Sequence, residues 1–411
     1  MHLHRISAAI LATALWLPPG AAARADVVTD WNKRAVVAAQ ASGQPLPAQA
    51  RGLAMVHLAM FEALNTIEPR FAPYRSRLAV EPGASTAAAA AAAAHTVLTR
   101  LYPAAAHDLD FALHGSLTVV ADGPSKAHGI RLGEQAAITL LIERSFDGAD
   151  ASAPYRPHTS PGMYVPTVLP QLPQWGRVRP FALKAGDQFR PHAPYAEGSA
   201  RWVRDYDEVR RLGAKTGAAR TPAQDELARF WDGVGLATYN ALARQVGAAR
   251  ALTPLANARL FALVNMAAAD ALIAAFDAKY AYKFWRPVTA IRNGDLGGQP
   301  AVMRDPAWES AVPTPLNPEY PCADSIAHSA AAAVLQALFG DALPAVRLAG
   351  DGTPPLLREY HRLSDYVAEV VNARVYHGVQ FRGSAEAGAA MGRKVGAFVA
   401  RNQLHPARAG L

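Results

Sequence analysis

Three short segments in the last third of the chain hold residue types suited to work on an anion. The first is Asp277-Ala-Lys-Tyr-Ala-Tyr-Lys-Phe-Trp-Arg-Pro, which sets Lys279 and Arg286 seven residues apart. Seven residues is close to two helical turns, so on one continuous helix both cations share a face, and Pro287 ends that helix. Arg offers a planar fork for a tetrahedral anion and Lys a point charge. The plain alternative is a solvated basic face. The second segment, Pro318-Glu-Tyr-Pro-Cys-Ala-Asp, runs into an alanine-rich helix starting near Asp324. Free N–H groups at such a start can hold an anion, while an acid there is also ordinary capping chemistry. The third, Asn372-Ala-Arg-Val-Tyr-His-Gly-Val-Gln, places Arg374, His377 and Gln380 around the end of a helix.

Two histidines stand within one helical turn of these positions. His328 follows Asp324 by four residues, and His377 lies three from both Arg374 and Gln380. Either they move protons for the site, or His328 packs against a neighbouring helix and His377 faces solvent. Cys322 is the only cysteine, which excludes an intrachain disulfide. At a helix start beside cations its thiol is a candidate nucleophile, with a small inert side chain as the alternative. A metal site from Asp324, His328 and His377 has no third spacing to fix it.

The elements that must position these groups read as helices. Apolar residues recur at helical spacing from Arg51 onward, and Ser85-Thr86 caps a run of eight alanines. Further helices are expected over 135–146, 223–249, 256–284, 324–339, 360–376 and 385–401. The stretch 153–195 is rich in proline, with Pro-Gly and Trp-Gly turns, and reads as a long irregular connection. The fold class is all-α, with no β-rich region. Its divisions are 26–152 (an N-terminal helical half), 153–222 (the irregular bridge) and 223–411 (a C-terminal helical bundle).

A chain of 411 residues, 51% hydrophobic, is long enough for a large core. The net charge of +8 favours anionic ligands. The basic residues form no runs and no recognition motif, which argues against nucleic acid. Residues 1–25 read as a secretory signal: a polar start, an apolar run too short to span a bilayer, and Ala23-Arg24-Ala25 as a small-x-small cleavage site. An uncleaved anchor is the alternative. No later stretch reads as membrane-spanning, and the mature chain is expected in the periplasm.

Together the three segments resemble the vanadium-dependent haloperoxidase and type-2 phosphatidic acid phosphatase superfamily, in its bacterial haloperoxidase-like branch. The pattern there is Lys-x6-Arg-Pro, then Pro-Ser-Gly-His, then Ser-Arg-x5-His. Lys279 to Arg286-Pro287 matches the first part in full, while Pro321-Cys322-Ala323-Asp324 and Arg374 with Gln380 stand where the others belong. The flanks are similar too, in Phe284-Trp-Arg-Pro-Val-Thr-Ala-Ile-Arg, Asn317-Pro-Glu-Tyr-Pro, Gln174-Trp-Gly-Arg-Val-Arg-Pro-Phe and Met391-Gly-Arg-Lys-Val-Gly. The resemblance covers roughly 26–402. It implies helical bundles around an anion pocket, with Lys279, Arg286 and Arg374 as binding cations and Cys322 and Ala323 at the Ser-Gly position. It puts Asp324 in place of the acid–base histidine and Gln380 in place of the histidine that ligates vanadium or attacks phosphorus. A carboxamide is a poor ligand for vanadium(V) and a poor nucleophile. The implied cofactor is vanadate or none, and the implied partner is a small anionic substrate or a phosphate-like oxyanion. Three readings follow: a vanadate-free enzyme acting on an anionic or enolisable substrate, a haloperoxidase or acid phosphatase with an unusual site, and a non-catalytic anion binder.

The signal reading predicts that the intact mass of the protein recovered from a periplasmic extract starts at or near Asp26. A chain still carrying Met1 in the membrane fraction would favour the anchor.

Overall fold

The computed structural model describes residues 26–75, 78–79, 81–233, 235–297, 302–350 and 355–407. The signal segment lies outside these. The N-terminal half consists of α1 (Val27–Ala41), α2 (Leu46–Ile67), α3 (Thr86–Leu101), α4 (Ala106–Thr118) and α5 (Pro124–Arg144). The rest holds α6 (Ala200–Leu212), α7 (Pro222–Phe230), α8 (Gly235–Ala249), α9 (Pro254–Tyr282), α10 (Pro287–Arg292), α11 (Ala323–Phe339), α12 (Leu363–Tyr376) and α13 (Arg382–Asn402). In keeping with the expected lack of a β-rich region, the strands among the described residues are two, β1 (Ala342–Ala349) and β2 (Leu357–Arg362), which form a small antiparallel hairpin between α11 and α12. It takes up the start of the helix expected over 360–376.

The architecture is all-α, built around α9. This helix is apolar on every side, as a helix enclosed by others must be. It packs against α2 in the N-terminal half and against α11 and α13 in the C-terminal half. Contrary to the sequence expectation, α9 is by length and apolarity long enough to cross a bilayer, but nearly all of that stretch is buried inside the molecule. The alanine run sits in α3, where Ala88 to Ala94 are buried and α3 lies along α5. Small side chains let those two helices approach closely.

The connection 153–195 carries no α-helix, only two single 3₁₀ turns, Trp175–Arg177 and Gly186–Phe189. It is fixed to α9 at several points. The buried Asp270 carboxylate accepts the backbone N–H groups of Phe181, Ala182 and Leu183 at 2.6–2.9 Å. Arg190 makes a two-pronged bond to Asp277. Tyr164 N–H donates to Lys283 O, and Trp285 N–H donates to Gly162 O. The irregular bridge expected over 153–222 is wrong in its last part, because α6 stands there and α7 begins at Pro222. The single helix expected over 223–249 is split between Phe230 and Gly235.

The helix carrying Lys279 does not continue to Arg286. It ends at Tyr282, with Lys283 in the left-handed conformation (φ 52°). Arg286 is the N-cap of α10, and Pro287 is that helix's first residue. Proline has no N–H to lose at such a position, so it starts a helix here instead of stopping one. The two cations meet because the chain turns between them.

Helices α11 and α13 form the most extensive helix pair. Their closeness depends on Gly388 and Gly392, where a Cβ would come within 2.6 Å of Cys322 O and 2.3 Å of Ile326 O. Both contacts are to backbone, which cannot swing aside. Gly392→Ala is therefore expected to cost about 1–3 kcal/mol through overpacking, read as a lower urea midpoint with an unchanged slope.

Candidate functional site

Arg286 is almost wholly buried, and every nitrogen of its guanidinium is used. Its Nε donates to Asn317 O at 2.9 Å and its Nη2 to Asn317 Oδ1 at 2.8 Å. Its Nη1 donates to Val379 O at 2.9 Å and to Gln380 Oε1 at 2.6 Å. Lys279 is equally buried, and its ammonium donates to Pro318 O at 2.7 Å and Glu319 O at 2.9 Å. Burial, joined by the charge of Arg286, pulls the Lys279 pKa down from its ordinary value. Gln380 is held from both ends. Its oxygen takes Arg286, and its NH₂ donates to Glu319 Oε1 at 2.8 Å and Glu319 O at 2.9 Å.

Arg374 faces the same cluster from the last turn of α12. Its Nη2 lies 3.2 Å from Asp324 Oδ2 in the first turn of α11. These side chains keep some contact with solvent, 14% exposed for Arg374 and 28% for Asp324. Burial works to raise the Asp324 pKa, but Arg374, helped by the two histidines and Lys279, holds the carboxyl below its ordinary value. The Nε–H of Arg374 has no hydrogen-bond partner among the described residues. Ala323 opens α11, whose first turn has backbone N–H groups without intrahelical partners.

Both histidines lie inside this structure and are neutral at pH 7, each with a pKa lowered by burial to about 4. His328 sits among Trp231, Tyr239 and Tyr366, and its Nδ1 is 2.5 Å from the Tyr366 hydroxyl. This matches the packing alternative. His377 does not face solvent. Its Nε2 meets Ala228 O at 2.7 Å, so that nitrogen carries the proton, and its Nδ1 lies 3.3 Å from Arg374 Nη1. A neutral Nδ1 can only accept there, so His377 orients Arg374. Cys322 is fully buried beside Ser325, whose hydroxyl donates to Sγ. Burial and the nearby Asp324 push its thiol up, away from a reactive thiolate.

Sequence reasoning quoted Glu319 only as part of a flanking motif. It is fully buried, and burial raises its carboxyl to about 7 despite Arg286 and Lys279. One oxygen serves Gln380 and the Phe381 N–H, while Oε2 has no hydrogen bond of good geometry among the described residues. The available signal was an acid between two prolines, next to segments already rich in buried cations. No group of three or more His, Cys, Asp or Glu among the described residues could hold a metal ion.

The donor set does not fit vanadate. The carboxamide at position 380 is a poor ligand for vanadium, and its oxygen is already committed to Arg286. Two of the three Lys279 N–H groups donate to carbonyls, and Arg374 Nη2 is paired with a carboxylate that would repel an oxyanion.

The raised Glu319 carboxyl has a stability consequence. Between pH 4.5 and about 7 the native state holds a proton on Glu319 that the unfolded chain has lost. In that window this group makes stability fall as pH rises. Glu319→Gln mimics the protonated form, so its stability relative to the unmodified chain should improve from pH 5 to pH 8. A difference independent of pH in denaturation curves would contradict this.

Residues 259–407 match the family model of the VCPO second helical-bundle domain. A stretch of 178 residues is 28% identical to vanadium chloroperoxidase of Curvularia inaequalis. It covers 38% of this chain and 29% of that protein, so the chain spans under a third of the relative's length. The structure of a bacterial vanadium-dependent iodoperoxidase superposes with a TM-score of 0.77 at 21% identity, covering 93% of this chain and 97% of the other. The apo form of a bacterial vanadium-dependent chloroperoxidase gives 0.72 at 18% identity, covering 87% and 92%. These two likenesses speak for the fold. The chain thus has the fold of bacterial vanadium-dependent haloperoxidases, and its C-terminal bundle is similar to the second helical-bundle domain of that family model.

Proposed function

We propose that the chain is an exported, haloperoxidase-like enzyme that works without vanadate on an anionic or enolisable organic substrate, by isomerisation, rearrangement or hydrolysis. The observation that carries this reading is the Asp324–Arg374 pair. An ionised carboxylate with solvent access stands beside a guanidinium whose buried Nε–H has no partner among the described residues, at the first turn of a helix. Asp324 accepts a proton from a carbon next to a carbonyl. The electron pair of that C–H bond forms the enolate C=C, and the carbonyl π pair moves onto oxygen. The Arg374 Nε–H then meets the developing oxyanion. In an α-hydroxyketone, transfer of the hydroxyl proton to the enolate oxygen and return of the proton from Asp324 to the former carbonyl carbon complete an isomerisation with no redox partner. Arg286 contributes positive field and no free donor, since carbonyls, Asn317 and Gln380 occupy all of its N–H groups, while Lys279 has two of its three N–H groups on carbonyls. His377 keeps Arg374 in place.

The second reading, a vanadium-dependent haloperoxidase with an unusual site, is favoured by the three cations gathered in one cluster and by the names of the relatives. The two are separated by proton NMR in D₂O on a panel of β-keto esters and α-hydroxyketones. Deuterium uptake at the α-carbon is expected, with Asp324→Asn slowing it about 10²–10⁴-fold and orthovanadate leaving it unchanged. Peroxide-dependent bromination that needs vanadate and is lost in Lys279→Ala would replace the first reading with the second.

A further inference from the structure

Glu319 also lines a cavity of about 470 Å³ whose lining does not include Lys279, Arg286 or Arg374. That is within the usual range of small-molecule sites. Its wall is aromatic, with Phe189, Tyr195, Trp202, Phe284, Tyr320 and Phe381. Two buried carboxylates, Glu319 and Asp205, also line it. Each spends one oxygen at the start of α13: Glu319 Oε1 accepts from Phe381 N–H at 2.9 Å, and Asp205 Oδ2 from Gly383 N–H at 2.7 Å. Helix capping explains those two oxygens. It does not explain the other two. Glu319 Oε2 and Asp205 Oδ1 have no hydrogen bond of good geometry among the described residues, and neither has the buried indole N–H of Trp202, although the Ser384 hydroxyl, which also lines the cavity, acts on the Glu319 carboxyl as a nearby donor. The cation nearest Asp205 Oδ1 is Arg204 at 3.7 Å, on a side chain 69% exposed. The cations lining the cavity, Arg201 and Lys394, are themselves exposed, as is Glu386.

Buried polar atoms left unpaired are costly, and two acceptors in one aromatic chamber call for a donor-rich ligand. We propose that this cavity binds an organic ammonium compound, its N–H groups meeting Glu319 Oε2 and Asp205 Oδ1 and its apolar body lying against the aromatic wall. An ammonium carries donors and no acceptors, and aromatic faces attract its charge. Its charge would offset the burial that raises both carboxyls. A carboxylate ligand would meet two like charges, and an alcohol brings one donor for two acceptors. This site is independent of the chemistry assigned to Asp324.

The test is isothermal titration calorimetry of the mature chain at pH 8, with phenethylammonium chloride, 2-phenylethanol and 3-phenylpropionate as probes. The ammonium is expected to bind one saturable site at least about tenfold tighter than the alcohol, and the carboxylate not at all. Asp205→Asn keeps an acceptor for Gly383 N–H and should weaken the ammonium about tenfold or more, with circular dichroism checking the fold. Ala390→Trp, which fills the cavity from α13, should abolish binding. Lys394→Ala should leave it intact or strengthen it. If Asp205→Asn does not fold, Ala390→Trp decides. The proposal is overturned if the ammonium shows no saturable binding, if the alcohol or carboxylate binds as well, or if Ala390→Trp binds unchanged.

Discussion

A guanidinium buried in a helical bundle cannot shed its proton, so the chain around it must supply acceptors, and Arg286 is where this molecule meets that demand. Its four close partners come from Asn317, Val379 and Gln380. One arginine thereby ties the loop before α11 to the turn between α12 and α13. Lys279 reinforces the same loop through Pro318 and Glu319. A hydrogen bond to such a charged group is typically worth about 1.5–3 kcal/mol. The geometry of Glu319, Gln380 and the α13 start follows from that arginine.

The scaffold is shared with proteins named for vanadate chemistry, but function resides in the site and not in the fold. Here the charges of the pocket are answered from within. Gln380 spans Arg286 and Glu319, and Asp324 faces Arg374. What stays open is a carboxylate–guanidinium pair with partial solvent access, and an aromatic chamber that Glu319 also lines. A site of this kind suits proton movement more than the capture of a trivalent oxyanion.

The helical architecture was legible because amphipathic and apolar periodicity is a local signal, and the alanine run and the irregular 153–195 connection were read from composition alone. The grouping of Lys279, Arg286, Asp324, Arg374 and Gln380 was legible only through the resemblance to the superfamily's motifs. The seven-residue spacing was nonetheless misread as one helix, because Lys283 adopts a left-handed turn that the sequence does not announce. The hairpin was missed because its two short strands pair only with each other. Glu319 was passed over for a different reason. Its importance comes from complete burial between two cations, which is a tertiary fact. The roles of His328 and His377 were equally undecidable in one dimension, since Tyr366 and Ala228 reach them from distant elements.

Equilibrium binding of orthovanadate to the unmodified mature chain, followed by vanadium-51 NMR, tests the central claim most directly. A pocket closed by Gln380 and Asp324 predicts no saturable binding below about millimolar concentration, and a bound signal only after both positions are changed to histidine. Stoichiometric, micromolar binding by the unmodified chain would contradict the account.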